Sequence, residues 1–108
     1  MATPDITKNI LGDAIIETLK TIYDPEIPVN IYELGLIYEV KVDDKHNAHV
    51  VMTLTTPNCP VAESLPVEVR ERVEGVSGIN EVEVELTFEP PWDKDMMSEA
   101  AMLELGFL

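Results

Sequence analysis

The stretch VVMTLTTPNCPVAESLPVEV, Val50 to Val69, changes its hydrophobic period in mid-course. In its first part Val50, Met52 and Leu54 recur at every second residue, with His49, Val51, Thr53 and Thr55 on the opposite side. That is the pattern of a half-buried strand. After Thr56-Pro57-Asn58 the apolar residues fall about one turn apart, at Val61, Leu65, Val69 and Val73. The stretch therefore reads strand, seam, helix, with the helix running from Cys59 or Pro60 to about Val73. Pro66 lies inside it, and its missing N–H and ring clash predict a kink or a restart there.

The pattern extends in both directions from this seam. Upstream, Leu36, Tyr38, Val40 and Val42 alternate with Ile37, Glu39 and Lys41, and DDKHN (Asp43 to Asn47) is a turn. Two strands joined this way form an antiparallel hairpin. Before them, Asp24 to Glu33 reads as an ordered loop, because Pro25 and Pro28 forbid regular helix. Ile10, Leu11, Ile15, Leu19 and Ile22 mark one face of a helix over Thr7 to Ile22, capped by Thr7 or, past Gly12, by Asp13. Downstream, Gly75 and Gly78 close the second helix. A third strand then places Val82, Val84, Leu86 and Phe88 against Glu81, Glu83, Glu85 and Thr87. Pro90-Pro91 stop it, and Asp93 or Asp95 caps a last helix through Leu105, ended by Gly106.

The element order is α-β-β-α-β-α. This is an α/β (α+β) arrangement in two layers, a small three-stranded mixed sheet with helices on one face. With 108 residues, 45% of them hydrophobic, the chain makes a single domain over residues 1–108 with a packed core. Residues 1–6 are expected to fray, and Phe107-Leu108 to dock on the body or on a second subunit.

Charge narrows the partners. The 21 acids against 7 bases give a net charge of −14, with no basic cluster, which argues against nucleic acid and anionic membrane surfaces. The same charge serves solubility, or docking to a basic partner. No apolar run approaches the roughly 20 residues that span a bilayer, and the N-terminus lacks a leader pattern. One cysteine forms no internal disulfide and fits a reducing, cytoplasmic setting.

Candidate chemistry is sparse. No glycine-rich loop follows a strand, no cysteine pair is spaced for a closed metal site, and no base stands in sequence near a nucleophile. His46 and His49 read as a turn residue and a half-exposed strand residue. What remains is Cys59, held between Pro57 and Pro60. If Pro60 takes the first helical position, Cys59 occupies the cap, where unpaired N–H groups and the helix dipole favour a thiolate. A buried small hydrophobe is the competing reading, and spacing leaves both open. Asp24 and Glu26 are hard ligands, an acid–base pair or turn caps. The hairpin brings the loop before its first strand to the end of its second, so Asp24, Glu26, Thr55, Thr56 and Cys59 are expected at one edge of the sheet. Trp92 is either an exposed aromatic that binds a partner or a cover for the core.

Three stretches resemble one family: YDPEIPVNIYELGLIY (Tyr23 to Tyr38), MTLTTPNCPVAESLP (Met52 to Pro66) and VELTFEPPWDKDMMSEAAMLELG (Val84 to Gly106). Together they are similar to the SufT-like iron–sulfur assembly factors, related to PaaD-type proteins and to eukaryotic cytosolic iron–sulfur targeting adapters. The likeness runs from about Ile15 to Leu108. The family's DPE motif falls on Asp24, Pro25 and Glu26, and its TTPxCP motif on Thr55, Thr56, Pro57, Cys59 and Pro60. The threonine-proline usual after the tryptophan is replaced here by Asp93-Lys94.

The resemblance implies a two-layer domain and an accessory factor in iron–sulfur protein maturation, not an enzyme. Cys59 would be a transient ligand of iron or of a cluster, or a thiol facing a partner, with no cofactor firmly bound. One thiolate cannot complete a cluster, so other ligands would come from a homodimer mate, an assembly protein, a client apo-protein or a small thiol. The alternative is a metal-free adapter whose thiol is incidental. A thiol-dependent enzyme or redox sensor is a third reading.

Overall fold

The computed structural model describes residues 6–25, 27–55 and 59–106, with side chains described from residue 10 onward except 59–61. Helix α1 spans Ile6–Leu19, strand β1 Ile37–Val42, strand β2 Ala48–Met52, helix α2 Cys59–Glu74 and strand β3 Val82–Leu86; a 3-10 turn over Lys94–Met96 precedes helix α3, Glu99–Glu104. The order α-β-β-α-β-α expected from the sequence holds. The expected docking of Phe107-Leu108 lies outside the described residues, as does the fraying of all but Ile6, which opens α1.

The sheet order is β1-β2-β3, with β1 and β2 antiparallel and β2 and β3 parallel. The hairpin turn is local: Asp43 Oδ1 accepts the N–H groups of Lys45 and Asn47, and Oδ2 accepts the Asn47 side-chain amide. Joining β2 to a parallel β3 requires a crossover, and α2 supplies it. Ala48, Val50 and Met52 of β2 share one buried cluster with Ile15, Leu19 and Ile22 of the α1 region and Leu65, Val69 and Val73 of α2. The two long helices thus cover the apolar face, and the other face carries His49, Glu83 and Glu85.

Several details depart from the period-two and period-3.6 readings. The register shifts between Ile37 and Glu39, so Ile37 pairs with Met52 while Glu39 pairs with Val51. This bulge turns Ile37 toward the core and leaves Tyr38 outside, its hydroxyl donating to the Pro90 carbonyl at 2.7 Å. Helix α1 passes through Gly12 and Asp13 without a break, so neither Thr7 nor Asp13 stands before its first residue, and Ile10 is 61% exposed. Helix α2 continues through Pro66 as one element. Its stability comes from the buried stripe Leu65, Val69 and Val73, which outweighs the one hydrogen bond that proline removes.

The C-terminal segment divides where one helix was expected. Asp93 accepts the Asp95 N–H and caps only the 3-10 turn; Met97 is extended, and Ser98 caps α3 by accepting the Ala101 N–H. Strand β3 stops at Leu86, leaving Phe88 beyond it and 41% exposed. The segment is fastened to the loop before β1: the Trp92 Nε1–H donates to the Leu34 carbonyl at 2.8 Å, and the Ser98 N–H to that of Glu33 at 2.8 Å. Gly35, at φ +87°, lets the two backbones meet.

Candidate functional site

Because β2 and β3 are parallel, their C-terminal ends lie together, and the antiparallel β1 starts at the same end. Helix α2 begins there too, at Cys59. Of the two starts the sequence allowed, the helix takes Cys59, so Cys59 is its first residue and not the cap. The first-turn N–H groups of a 16-residue helix, of which Pro60 supplies none, and the positive end of its dipole therefore face this end of the sheet.

A run of backbone hydrogen bonds carries the Asp24 loop to the same place. Ile31 N–H donates to Ile22 O at 2.8 Å, Leu36 N–H to Ile31 O at 3.1 Å, and Thr53 N–H to Leu36 O at 2.8 Å. The base of the loop is thereby stitched, through the start of β1, to a residue two before Thr55. Within the loop, Tyr23 and Asn30 form an isolated antiparallel bridge, and Asp24 N–H donates to Val29 O at 3.3 Å. Asp24 is 5% exposed, and its Oδ2 accepts the Ile27 N–H at 2.8 Å. One carboxylate oxygen therefore shapes the bend whatever else the group does. Asn30 braces the far side by accepting the Glu33 N–H at 2.9 Å.

Of the expected site residues, Asp24 and Thr55 are brought to this end, Thr55 half-buried. The side chains of Glu26, Thr56 and Cys59 lie outside the described residues. Trp92 is half-buried, packed on the core, with its indole N–H engaged by Leu34. The sequence reading missed Thr53. Alternation placed it on the outer face, yet it is fully buried, and its Oγ1 has no hydrogen-bond partner. A threonine at a strand end next to a two-threonine seam was the available signal, but burial beyond the end of a strand depends on what crosses over it.

A thiolate is favoured over the thiol by nearby N–H donors or cations. Helix α2's amino end supplies a positive element here, while Lys20, at the start of the loop, is engaged with Glu33 at 3.9 Å and lies over the Tyr32 ring. A helix amino end of this kind favours an anionic group such as a thiolate.

Comparison with known proteins follows the same residues. The profile of the iron–sulfur cluster assembly protein family matches residues 12–86, which take in both motif segments. A Porphyromonas gingivalis protein named Fe-S protein maturation auxiliary factor is 60% identical over 94 residues, covering 87% of this chain and 90% of its own. The Staphylococcus aureus Fe-S protein maturation auxiliary factor SufT is 40% identical over 85 residues, covering 79% of this chain and 97% of its own. Among solved structures, a domain of unknown function from Bacillus anthracis superposes with a TM-score of 0.86 at 34% identity, over 95% of this chain and 98% of that one.

Proposed function

The chain belongs to the iron–sulfur cluster assembly protein family, and from that premise we propose that it is an accessory factor in the maturation of iron–sulfur proteins, acting through Cys59 without turnover of its own. The observation that carries the reading is that the Asp24 loop is stitched to Thr53 at the end of β2, in the segment that leads into α2 at Cys59. In this reading the Cys59 thiolate, favoured by the helix end, takes one ligand position on iron or on a cluster in transit. Asp24 holds the bend of its loop by accepting the Ile27 N–H. The remaining ligands come from a second copy, an assembly protein, a client or a small thiol, so the cluster is cargo. No helix among the described residues is long and apolar enough to cross a membrane, and the relatives named as maturation factors are bacterial; in this reading the work is cytoplasmic.

The test is complementation. In a strain lacking the protein, Cys59→Ala is expected to leave client iron–sulfur enzymes unmatured while the variant folds and accumulates normally. Wild-type enzyme activity with Cys59→Ala would remove the thiol from the mechanism.

An adapter reading has one supporting observation. Phe88 and Met96 are 41% and 37% exposed, and Pro90 and Pro91 are exposed beside Trp92, which makes an apolar surface on the C-terminal segment. If partners dock there, Phe88→Ala abolishes maturation and Cys59→Ser does not.

A further inference from the structure

On the sheet face turned away from α1 and α2, β3 presents two carboxylates to a histidine of β2. The parallel register sets Glu83 beside His49 and Glu85 beside Val51, so Glu83 and Glu85 stand on one face, two residues apart, flanking the imidazole. His49 Nε2 lies 3.4 Å from Glu85 Oε1 and 3.8 Å from Glu83 Oε1. One donor atom from each of the three side chains lies within 4.8 Å of the others.

The histidine separates this group from ordinary surface acids. Its Nε2 is shut off from solvent yet makes no hydrogen bond, although both carboxylates flank it. A buried polar atom without a partner is uncommon, and it marks a place that something else can fill. The spacing says what. Nitrogen and oxygen ligands lie about 2.0–2.2 Å from zinc, and tetrahedral geometry then sets the ligand atoms about 3.3–3.6 Å from one another. The 3.4 Å and 3.8 Å separations lie at or just beyond that range.

We propose that His49, Glu83 and Glu85 form a binding site for a zinc-class divalent cation on the outer face of the sheet. A neutral imidazole with two carboxylates offsets the ion's double charge, and in a chain of net charge −14 the surrounding field favours cation uptake. Imidazole among the ligands selects zinc, cobalt or nickel over magnesium, which prefers oxygen and keeps its waters. Three protein ligands leave a fourth position, and with the Glu83 and Glu85 side chains 79% and 55% exposed that position opens to solvent. A groove of about 800 Å³, with His49, Glu83, Lys41 and Arg70 in its walls, borders the site. The ion would tie β2 to the edge strand β3. The site requires neither Cys59 nor any role in maturation.

The experiment uses the full chain carrying Cys59→Ala, so that the thiol cannot hold the metal, with zinc and cobalt as probes. Native mass spectrometry is expected to show one zinc per chain, and cobalt to give the visible absorption of a tetrahedral site. The double variant Glu83→Gln, Glu85→Gln alters two exposed side chains and so keeps the fold. It is expected to weaken zinc at least tenfold, whereas Glu81→Gln with Glu39→Gln, equal in charge removed, leaves affinity within twofold. Absence of stoichiometric uptake overturns the proposal. So does equal affinity in the two double variants, which would mark a diffuse charge effect.

Discussion

Replacing Gly35 with alanine tests whether the 94–97 segment is clamped onto the loop before β1. Gly35 sits at φ +87°, and a left-handed backbone costs a residue with a Cβ roughly 1–2 kcal/mol. A Cβ there would also run into the Met96 carbonyl, 2.9 Å from its carbon. This neighbour is backbone, so it cannot rotate away and the segment must move. Two hydrogen bonds hold it, Trp92 Nε1–H to Leu34 O and Ser98 N–H to Glu33 O, each 2.8 Å. At about 1 kcal/mol apiece their loss brings the total to about 3–4 kcal/mol. For a chain of this length that lowers the melting temperature by about 10–20 °C. Gly78→Ala is the internal control: φ is +96°, but the intruding atom is the Leu11 Cδ2 methyl at 3.0 Å, which can yield. Its cost is the backbone strain, about 1–2 kcal/mol. Urea unfolding followed by circular dichroism reads both. Equal midpoints for the two variants would refute the clamp.

Thr53→Val replaces a buried hydroxyl that has no partner with a methyl of similar shape, so stability is expected to hold or rise by up to about 1–2 kcal/mol; a loss above 1 kcal/mol in urea unfolding would mean the hydroxyl is engaged. Ser98→Ala removes the cap of α3 and should cost about 1 kcal/mol, with Ser98→Asp restoring most of it. Hydrogen bonds from the Asn47 backbone N–H first, then from that of Lys45, hold the Asp43 carboxyl below its ordinary value. A depressed folded value stabilises above the unfolded pKa and fades as pH falls through the folded one. Titration of the Asp43 carboxyl carbon by NMR should therefore give a midpoint under 3.8 in the folded chain, and Asp43→Asn should flatten the loss of stability in that acid window.

The elements legible in advance were those whose signal is local. Val82, Val84 and Leu86 against Glu83 and Glu85 could scarcely be anything but a strand with one wet face. What stayed hidden depends on pairing. A bulge is a relation between two strands, so the shift at Ile37 and Glu39 could not be seen in β1 alone, and the alternation put Tyr38 inside. The parallel register was equally invisible: β3 keeps its pattern when slid by two residues, so nothing in the sequence set Glu83 and Glu85 around His49. Pro66 misled for a different reason. A single helix-breaking residue was weighed by itself, while the helix is held by its buried stripe. At the candidate site, the meeting of the Asp24 loop with the end of β2 was readable from hairpin topology. Thr53 was not, because alternation assigns sides only within a strand.

The parallel pairing of β2 with β3 has a consequence for when the motif segment acquires its shape. The hairpin is contiguous and can close early, but Val82 reaches Ala48 only after α2 has been laid across the gap. A ribosome-bound chain still lacking residues 82–86 would hold its thiol on an untethered arm. The sheet end at which the motif segments meet would then be complete only with the final strand, after the polypeptide is nearly finished.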